Sequence, residues 1–216
     1  MQTKMQFQKN ANVMSASGHS VGQIDRIVVN PQNNVVTHLV VHQGGLFSKE
    51  DKVVPIEWVL ETHPYEIVLC DEAGDLEALL TFEEEHIVDA DDGSFIVEEN
   101  RQPVMYGSPV QGLSLQPNPD ENYVTKIDKN IPEGTVAMKE GAKVVTADGK
   151  HVGTVERVYT DIPEEQITHL LISYGMFSKK TKLVPIDWVE NVTEDQVNLL
   201  VHKVSVDALT DTSILK

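Results

Sequence analysis

Apolar and polar residues follow a strand-like pattern in two long stretches of this chain. Each stretch contains two runs rich in β-branched residues, and such runs favour β-strands. A polar turn separates the two runs of each stretch, at residues 31–34 and at residues 162–165. The four predicted strands cover residues 21–29, 35–42, 152–160 and 166–174.

Shorter elements follow in the same order in both stretches. A short strand is expected to stop at Pro55 and another at Pro185, because proline cannot donate a hydrogen bond to a strand ladder. One helical turn is then predicted at Ile56–Val59 and at Ile186–Val189. About five or six short strands in each stretch suit a small closed barrel, which leaves few free edges. The last strands are predicted at Glu66–Cys70 and Gln196–Val201, and terminal turns or short helices at Asp75–Leu80 and Asp207–Leu209.

The two stretches are copies of one repeat. Val-Gly, Thr-His-Leu, Phe-Ser-Lys and Val-Pro-Ile-acid-Trp-Val occur twice in the same order. The separation is 131 residues from Gly18 to Gly149 and 130 residues from Trp58 to Trp188, so the second copy lacks one residue near 45–46. Chance does not produce this ordered set twice. The matched structural positions are Gly22, His38, Pro55 and Trp58 in the first copy, and Gly153, His169, Pro185 and Trp188 in the second.

The segment between the copies has a different composition. Five of the ten prolines lie between residues 86 and 135, which predicts a connection that interrupts the two barrels. A structureless loop of that length is unusual inside one domain. We therefore expect a partly ordered linker that packs in part on the barrels, with short extended pieces at Phe95–Val97 and Tyr123–Ile127. The predicted domains are a first barrel at 1–85, the linker at 86–135 and a second barrel at 136–216.

The ordered motifs resemble those of the PRC-barrel family, and the resemblance appears twice, at about residues 8–80 and 139–210. That family takes its name from the cytoplasmic domain of the photosynthetic reaction centre H subunit, and a related barrel ends a bacterial ribosome-maturation factor. The resemblance implies an all-β fold with two tandem small barrels that serve as docking or assembly modules, without catalytic residues. The membrane helix of the H subunit and the leading domain of the maturation factor have no counterpart here, so neither role transfers directly.

The amino-acid composition narrows the classes of partner that the protein is expected to bind. The formal net charge is −17, and such a field repels phosphate backbones and anionic membranes. Nucleic acid is therefore disfavoured as a partner. No apolar segment approaches the roughly 20 residues that span a bilayer, so we expect no direct membrane insertion. We predict a cytoplasmic bacterial protein.

The sequence offers no strong sign of catalysis, metal binding or a cofactor. Residues 18–22 read Gly-His-Ser-Val-Gly and match the nucleophile elbow of hydrolases, but a strand is predicted to follow Ser20 where the elbow needs a helix. His38 and His42 are about 13 Å apart along a strand, too far to share one metal ion. We expect the rings of His38 and His169 to bond backbone groups instead, and we predict no enzyme activity.

The best candidates for partner contact lie in the hairpin that contains Phe-Ser-Lys. Phe47 and Phe177 are large aromatic residues where burial is not required, and exposed aromatics beside lysine anchor protein contacts. The alternative is that each ring folds back over the mouth of its barrel. Lysines accompany both rings, and the second copy, which is the less acidic of the two, has the denser basic cluster. The lysines included in the predicted contact are Lys49, Lys179, Lys180 and Lys182.

These observations lead to one leading function and two alternatives. The leading prediction is a non-enzymatic protein-binding or assembly adaptor whose partner is a protein of unknown identity. A ribosome or RNA-maturation factor is the first alternative, and a peripheral factor of a membrane or photosynthetic complex is the second. We expect the two copies of the repeat to pack pseudo-symmetrically on each other, because barrels of this size leave apolar faces open. A homo-oligomer is a further alternative.

Overall fold

The protein is almost entirely β-structure, which confirms the predicted fold class. Within the described part of the chain, one short helix and the 3-10 turns Ile56–Trp58 and Ile186–Trp188 interrupt the strands. No helix in that part has the length and apolar character needed to cross a membrane. The computed structural model describes residues 4–8, 10–44, 49–70, 79–89, 123–139, 141–162, 164–175 and 180–212.

The first copy forms one sheet in the order β5-β4-β3-β2-β7-β6. The pairing of β2 with β7 is parallel, and the other pairings along this path are antiparallel. The predicted long strands and the turn after Pro55 are confirmed, whereas the short strands β2 and β6 were not predicted. The strands are β1 (Met5–Gln8), β2 (Asn12–Ser15), β3 (Ser20–Asn30), β4 (Val35–Gly44), β5 (Lys49–Pro55), β6 (Val59–His63) and β7 (Glu66–Leu69).

Residues 83–129 form a compact unit of their own, separate from the unit that contains both copies. Its described part is an antiparallel pair, β8 (Glu83–Asp89) and β9 (Tyr123–Lys129), with Glu83 opposite Lys129. The extended piece predicted at Tyr123–Ile127 is therefore confirmed, and the one at Phe95–Val97 lies outside the described residues. Packing of this segment on the barrels and the domain boundaries 1–85, 86–135 and 136–216 remain predictions.

The second copy repeats the topology of the first, in the order β15-β16-β11-β12-β13-β14-β17. The parallel pair is now β11 with β16. The helix α1 begins at Lys203 and ends at Asp207, earlier than the turn predicted at Asp207–Leu209. The elements are β10 (Val136–Lys139), β11 (Lys143–Val145), β12 (His151–Thr160), β13 (Ile167–Tyr174), β14 (Lys180–Pro185), β15 (Val189–Val192), β16 (Gln196–Leu199), α1 (Lys203–Asp207) and β17 (Asp211–Thr212).

The two copies exchange their leading strands. β1 precedes the first copy along the chain but pairs with β12 of the second, with Phe7 opposite Val158. β10 precedes the second copy but pairs with β3 of the first, with Met138 opposite Ile27. Phe7 and Met138, like Ile27 and Val158, are separated by the repeat distance of 131 residues, so the exchange is reciprocal and pseudo-symmetric. Each sheet is therefore completed by a strand from the other copy.

The exchanged strands β1 and β10 carry core side chains across the boundary between the copies. Phe7 is 1% exposed and Met138 is 2% exposed. Both belong to one hydrophobic cluster that also contains Val13 and Leu39 of the first copy and Leu170 of the second. Burial of a large apolar side chain stabilises a fold by about 1.5–3 kcal/mol. The two copies consequently share a single core.

A buried arginine holds β1 in place. The Nη1 of Arg157 donates to Gln6 Oε1 at 3.0 Å, and its Nη2 donates to Gln8 Oε1. The equivalent residue of the first copy, Arg26, pairs instead with Asp25 and with Glu194, at 3.1 and 3.5 Å. A guanidinium group suits such a position because its donors form a rigid planar fork.

The turn between β3 and β4 of the first copy also contacts the turn between β12 and β13 of the second. Val36 N donates to Glu165 O at 3.1 Å, and Ile167 N donates to Asn34 O at 2.8 Å. Asn34 and Glu165 occupy equivalent positions, and both have left-handed backbone, with φ of +57° and +54°. Asparagine tolerates this conformation better than glutamate does. The same turn is therefore built twice, although only the first copy has a residue suited to it.

The exchange predicts that the copies stay together when the connection between them is cut. A protease site inserted between residues 100 and 110 and then cleaved should leave two fragments that co-elute from a size-exclusion column under native conditions. The reason is that β1 and β10 anchor each fragment in the core of the other.

Combining Phe7→Ala with Arg157→Ala should weaken this association, because a Phe→Ala change in a core costs about 3–5 kcal/mol. Separation of the cleaved wild-type fragments without denaturant would contradict the shared core.

Candidate functional site

A cleft of about 490 Å³ opens in the second copy, between the start of β12, the end of β13 and the helix α1. This volume lies in the usual range of ligand pockets, about 300–1,000 Å³. Apolar side chains and polar groups both contribute to its walls. Among the lining residues are His151, Val152, Glu156, Ser173, Tyr174 and Lys203.

Beside the cleft, β12 and β13 come close together at a glycine. The β12–β13 ladder ends with Thr154 opposite Ser173, and Val152 lies beyond that end. A Cβ on Gly153 would lie 2.4 Å from Ser173 O, and the φ of Gly153 is +147°, so no other residue fits there without a shift of the backbone. In the first copy, a Cβ on Gly22 would lie 2.5 Å from His42 O. This close backbone approach explains why the Val-Gly pair recurs in both copies.

One wall of the cleft contains a buried lysine. Lys182 is 5% exposed, and its Nζ donates to Asp207 O at 2.8 Å and to Leu209 O at 2.7 Å. The Nζ also lies 3.6 Å from Asp211 Oδ1. The ammonium group satisfies carbonyls at the end of α1, where the helix dipole favours a cation.

The first copy has an equivalent buried lysine. Lys52 is buried as well, and its Nζ donates to Leu79 O at 3.4 Å and lies 3.2 Å from Glu50 Oε2. Leu79 and Leu209 are equivalent in the repeat. Lys52 and Lys182 therefore tie the end of each copy back onto its sheet.

The mouth of the cleft has a linked tyrosine and aspartate. The hydroxyl of Tyr174 donates to Asp211 Oδ1, and Lys180 Nζ lies 3.1 Å from Asp211 Oδ2. The hydrogen bond to Asp211 raises the pKa of Tyr174 to about 12. The same hydrogen bond, followed by the one from Lys180, lowers the pKa of Asp211. Tyr174 is thus held toward Asp211 and over the ammonium of Lys182, which lies 5.4 Å from the ring centre.

A carboxylate and two hydroxyls occupy the inner end of the cleft. Ser173 Oγ donates to Glu156 Oε1 at 2.5 Å and lies 3.2 Å from Thr154 Oγ1. On the helix side, Lys203 N donates to Asp148 Oδ1 at 3.0 Å. The hydrogen bond from Thr146, followed by this one, lowers the pKa of Asp148.

The equivalent region of the first copy is built differently. Gln43 of β4 is the counterpart of Tyr174. Its Nε2 donates a hydrogen bond to the carbonyl oxygen of Val21 in β3 at 3.2 Å. His42 takes the place of Ser173, and its Nδ1 lies 2.6 Å from Asp51 Oδ1. The two copies therefore share a fold but present different chemistry at this position.

A family comparison agrees with the repeated topology. The model of the PRC-barrel domain matches residues 9–101 and 140–212, which is most of the chain. The chain belongs to the PRC-barrel family. A search of curated proteins found no match. The fold and the tandem arrangement of the two PRC-barrel copies follow directly from these findings.

The predicted contact residues of this PRC-barrel protein fall into two groups. Phe47, Phe177 and Lys179 lie outside the described residues, as does the side chain of Lys49, whose backbone begins β5. Their role remains a prediction. Lys180 and Lys182 are described, and they differ: the Lys180 side chain is 56% exposed, whereas Lys182 is buried and already bonded. Lys182 is therefore not part of an exposed basic cluster at this hairpin.

The predicted repeat positions are structurally equivalent. His38 lies opposite Pro55 and His169 lies opposite Pro185 in the two sheets. Trp58 and Trp188 are partly buried and pack on the core. The expected bonds from the two histidine rings to backbone groups stay a prediction, and the buried Nδ1 of His38 has no hydrogen-bond partner among the described residues. Burial lowers the pKa of His38, and the nearby Glu57 partly opposes this effect.

Sequence reasoning missed the cleft and the buried lysines. The repeat could have indicated that these lysines are buried. Lys52 and Lys182 occupy the same position before Val-Pro-Ile, and an exposed turn does not require a lysine in both copies. No comparable signal marked the cleft. Its lining combines residues of β12, β13 and α1 that are far apart in the sequence.

Lys182→Met should lower the free energy of unfolding by about 1–3 kcal/mol, because two buried carbonyls lose their donor. Lys180→Met is the matched control, and it should change stability by less than about 1 kcal/mol, since an exposed ion pair contributes little. Urea unfolding followed by circular dichroism measures both. Equal, small effects would show that Lys182 is not a structural anchor.

Tyr174 should ionise at a higher pH than an ordinary tyrosine side chain. Its folded-state pKa is raised, so its contribution to stability is present below the ordinary tyrosine pKa of about 10 and is lost as the pH rises through about 12. Titration of phenolate absorbance should therefore give the same curve for wild type and Tyr174→Phe up to about pH 11. Asp211→Asn should move the ionisation of Tyr174 toward its ordinary range. A difference between wild type and Tyr174→Phe already near pH 10 would contradict the hydrogen bond.

Proposed function

We propose that this PRC-barrel protein is a non-enzymatic adaptor that docks a partner protein through the Phe-Ser-Lys hairpins of both copies and the cleft of the second copy. The observation that carries the proposal is the 490 Å³ cleft, whose lining includes Gly175, two residues before Phe177 in the sequence. Concave sites on protein surfaces are places where a few anchors supply most of the binding energy.

Rigidity supports the same role. The exchanged strands join both copies in one core, so that the cleft is mounted on a fixed scaffold. A preformed surface loses less conformational entropy when a partner binds. The different residues at the equivalent position of the first copy give the adaptor a second surface with its own specificity.

The absence of catalysis in this proposal rests on the surroundings of Ser20. That residue begins the long strand β3, whereas a nucleophile elbow places its serine on a sharp turn between a strand and a helix. The hydrolase-like motif at residues 18–22 is therefore read as a turn leading into a strand. The glycines in it serve backbone geometry.

Charge points to the kind of partner. The net charge of −17 attracts basic proteins and repels nucleic acid. The burial of Lys182 removes part of the basic cluster that supported an RNA-maturation role. A partner from a ribosome or from a membrane complex is consequently sought among basic proteins, and no direct contact with nucleic acid or lipid is proposed.

The test compares affinity capture from native-source lysate by the wild-type protein and by the double variant Phe47→Ala, Phe177→Ala. We expect the double variant to lose the specific partner, with each anchor contributing about 1–2 kcal/mol to binding. Mass spectrometry identifies the captured proteins, and ribosomal or membrane-complex subunits would assign the adaptor to one of those assemblies.

The matched control is the double variant Leu60→Ala, Tyr65→Ala, which removes two side chains that are 56% and 55% exposed elsewhere on the first copy. It should capture the partner as wild type does. Unchanged capture by the phenylalanine variant, or equal losses in both variants, would reject docking through the two hairpins.

A further inference from the structure

The unit at residues 83–129 has a strand that can accept a further strand. Its described part is a two-stranded ribbon, in which β9 pairs with β8 on one side. Among the described strands, none pairs with β9 on its other side. Such an edge presents unpaired backbone N–H and C=O groups, which can bond a strand of another chain. Because two strands alone are only marginally stable in water, a third strand would stabilise this ribbon.

An apolar residue lies in the middle of β9. Ile127 is 54% exposed, although isoleucine is among the residue types that are most often buried. Its cross-strand neighbour in the ribbon is Glu85, which is exposed as well. A strand that placed another apolar residue opposite Ile127 would remove part of this side chain from water, which is favourable.

The charges beside Ile127 make β9 complementary to itself. Lys126 and Asp128 lie on the face of the strand opposite to Ile127, with Lys126 Nζ 3.0 Å from Asp128 Oδ1. When two β9 strands pair antiparallel with Ile127 opposite Ile127, each Lys126 lies opposite an Asp128 and each Thr125 opposite a Lys129. No like charges are then directly opposite each other. Two Lys–Asp pairs form between the strands, in addition to the pair within each strand.

The other strand of the ribbon lacks this property. The first three residues of β8, Glu83–Glu85, are all acidic, so two β8 strands repel each other. Pairing β9 with β8 of another molecule, in the register that the ribbon itself uses, would place Glu84 opposite Asp128 and Glu85 opposite Ile127. A second β9 is therefore the better complement of β9.

We infer that two molecules of this protein associate through β9 and form a four-stranded antiparallel sheet in the order β8-β9-β9-β8. The same strand contributes both sides of the interface, so the contact is two-fold symmetric and closes at two molecules. This inference goes beyond the proposed function and does not depend on it. An adaptor that dimerises in this way presents each of its docking surfaces twice.

The first test is analytical ultracentrifugation of the full-length protein from micromolar to millimolar concentration. We expect a monomer–dimer equilibrium that added salt weakens, because ion pairs contribute to the interface. Asp128→Lys should raise the Kd of the dimer by about tenfold or more, since each Lys126 then faces a lysine. Lys126→Asp should have the same effect, since each Asp128 then faces an aspartate.

Mixing these two charge variants locates the contact. Asp128→Lys and Lys126→Asp should each remain largely monomeric, but their mixture should form a heterodimer, because every lysine then faces an aspartate. The double variant Lys126→Asp, Asp128→Lys should recover the Kd of the wild type. Loss of folding cannot produce this recovery, so the mixture and the double variant decide the result if circular dichroism shows that a single variant is unfolded.

An apolar-to-charged change tests the centre of the interface. Ile127→Lys places two like charges opposite each other and should abolish the dimer. Leu200→Lys is the matched control, because Leu200 is 56% exposed and lies in the second copy of the repeat. It should leave the Kd unchanged.

A disulfide test reports the register. Cys70 is a free cysteine, so the variants are made with Cys70→Ser. Ile127→Cys then places two thiols directly opposite each other, within the distance that a disulfide spans. Thr125→Cys is the control on the same face, because its two thiols lie about 14 Å apart along the strands. Mild oxidation should give at least about tenfold more covalent dimer with Ile127→Cys than with Thr125→Cys.

Four results would overturn the inference: a monomer at millimolar concentration, a Kd unchanged by both Asp128→Lys and Ile127→Lys, failure of the mixture and of the double variant to dimerise, or equal cross-linking at the two cysteine positions. Assemblies that grow beyond a dimer would also reject it, because they require a contact between two different surfaces. Partner capture is a separate measurement, so the adaptor and this dimer can each fail without the other.

Discussion

The reciprocal exchange of β1 and β10 is the constraint on which the rest of this structure depends. Each exchanged strand is covalently part of one copy and hydrogen-bonded to the long central strand of the other. Phe7 and Met138 then bury their side chains in a core that neither copy completes alone. The tandem repeat thereby forms one body, in which strand pairing and a common core join the two copies.

Duplication within one chain also allows the two copies to differ. The fold requires the glycines at which two strands come close together and the buried lysines that hold the chain end, so Gly22, Gly153, Lys52 and Lys182 occur as equivalent pairs. It does not require a particular residue after the ladder ends. Gln43 donates to the backbone of Val21 in the first copy, whereas the hydroxyl of Tyr174 donates to Asp211 in the second.

Much of the fold was predictable because its signals are local. Runs of β-branched residues marked the long strands, and the prolines at 55 and 185 marked the ends of β5 and β14. The short strands β2, β6, β11 and β15 escaped prediction, since three to five residues carry too little periodicity to be distinguished from turns. Lys182 was expected to be exposed, because a charged residue near a hairpin is usually solvated. It is buried, and its ammonium group donates to the carbonyls of Asp207 and Leu209, which makes the burial favourable.

The sequence by itself determined the fold class, the repeat and its equivalent positions, because these are properties of spacing and residue type along the chain. Only the tertiary structure decided which copy each leading strand completes, whether a lysine is buried and where a cleft opens. Those outcomes depend on contacts between residues far apart in sequence, such as Phe7 with the second copy and Tyr174 with Asp211. Local sequence patterns do not specify such pairings, because a strand with a given pattern of apolar residues can join either sheet equally well.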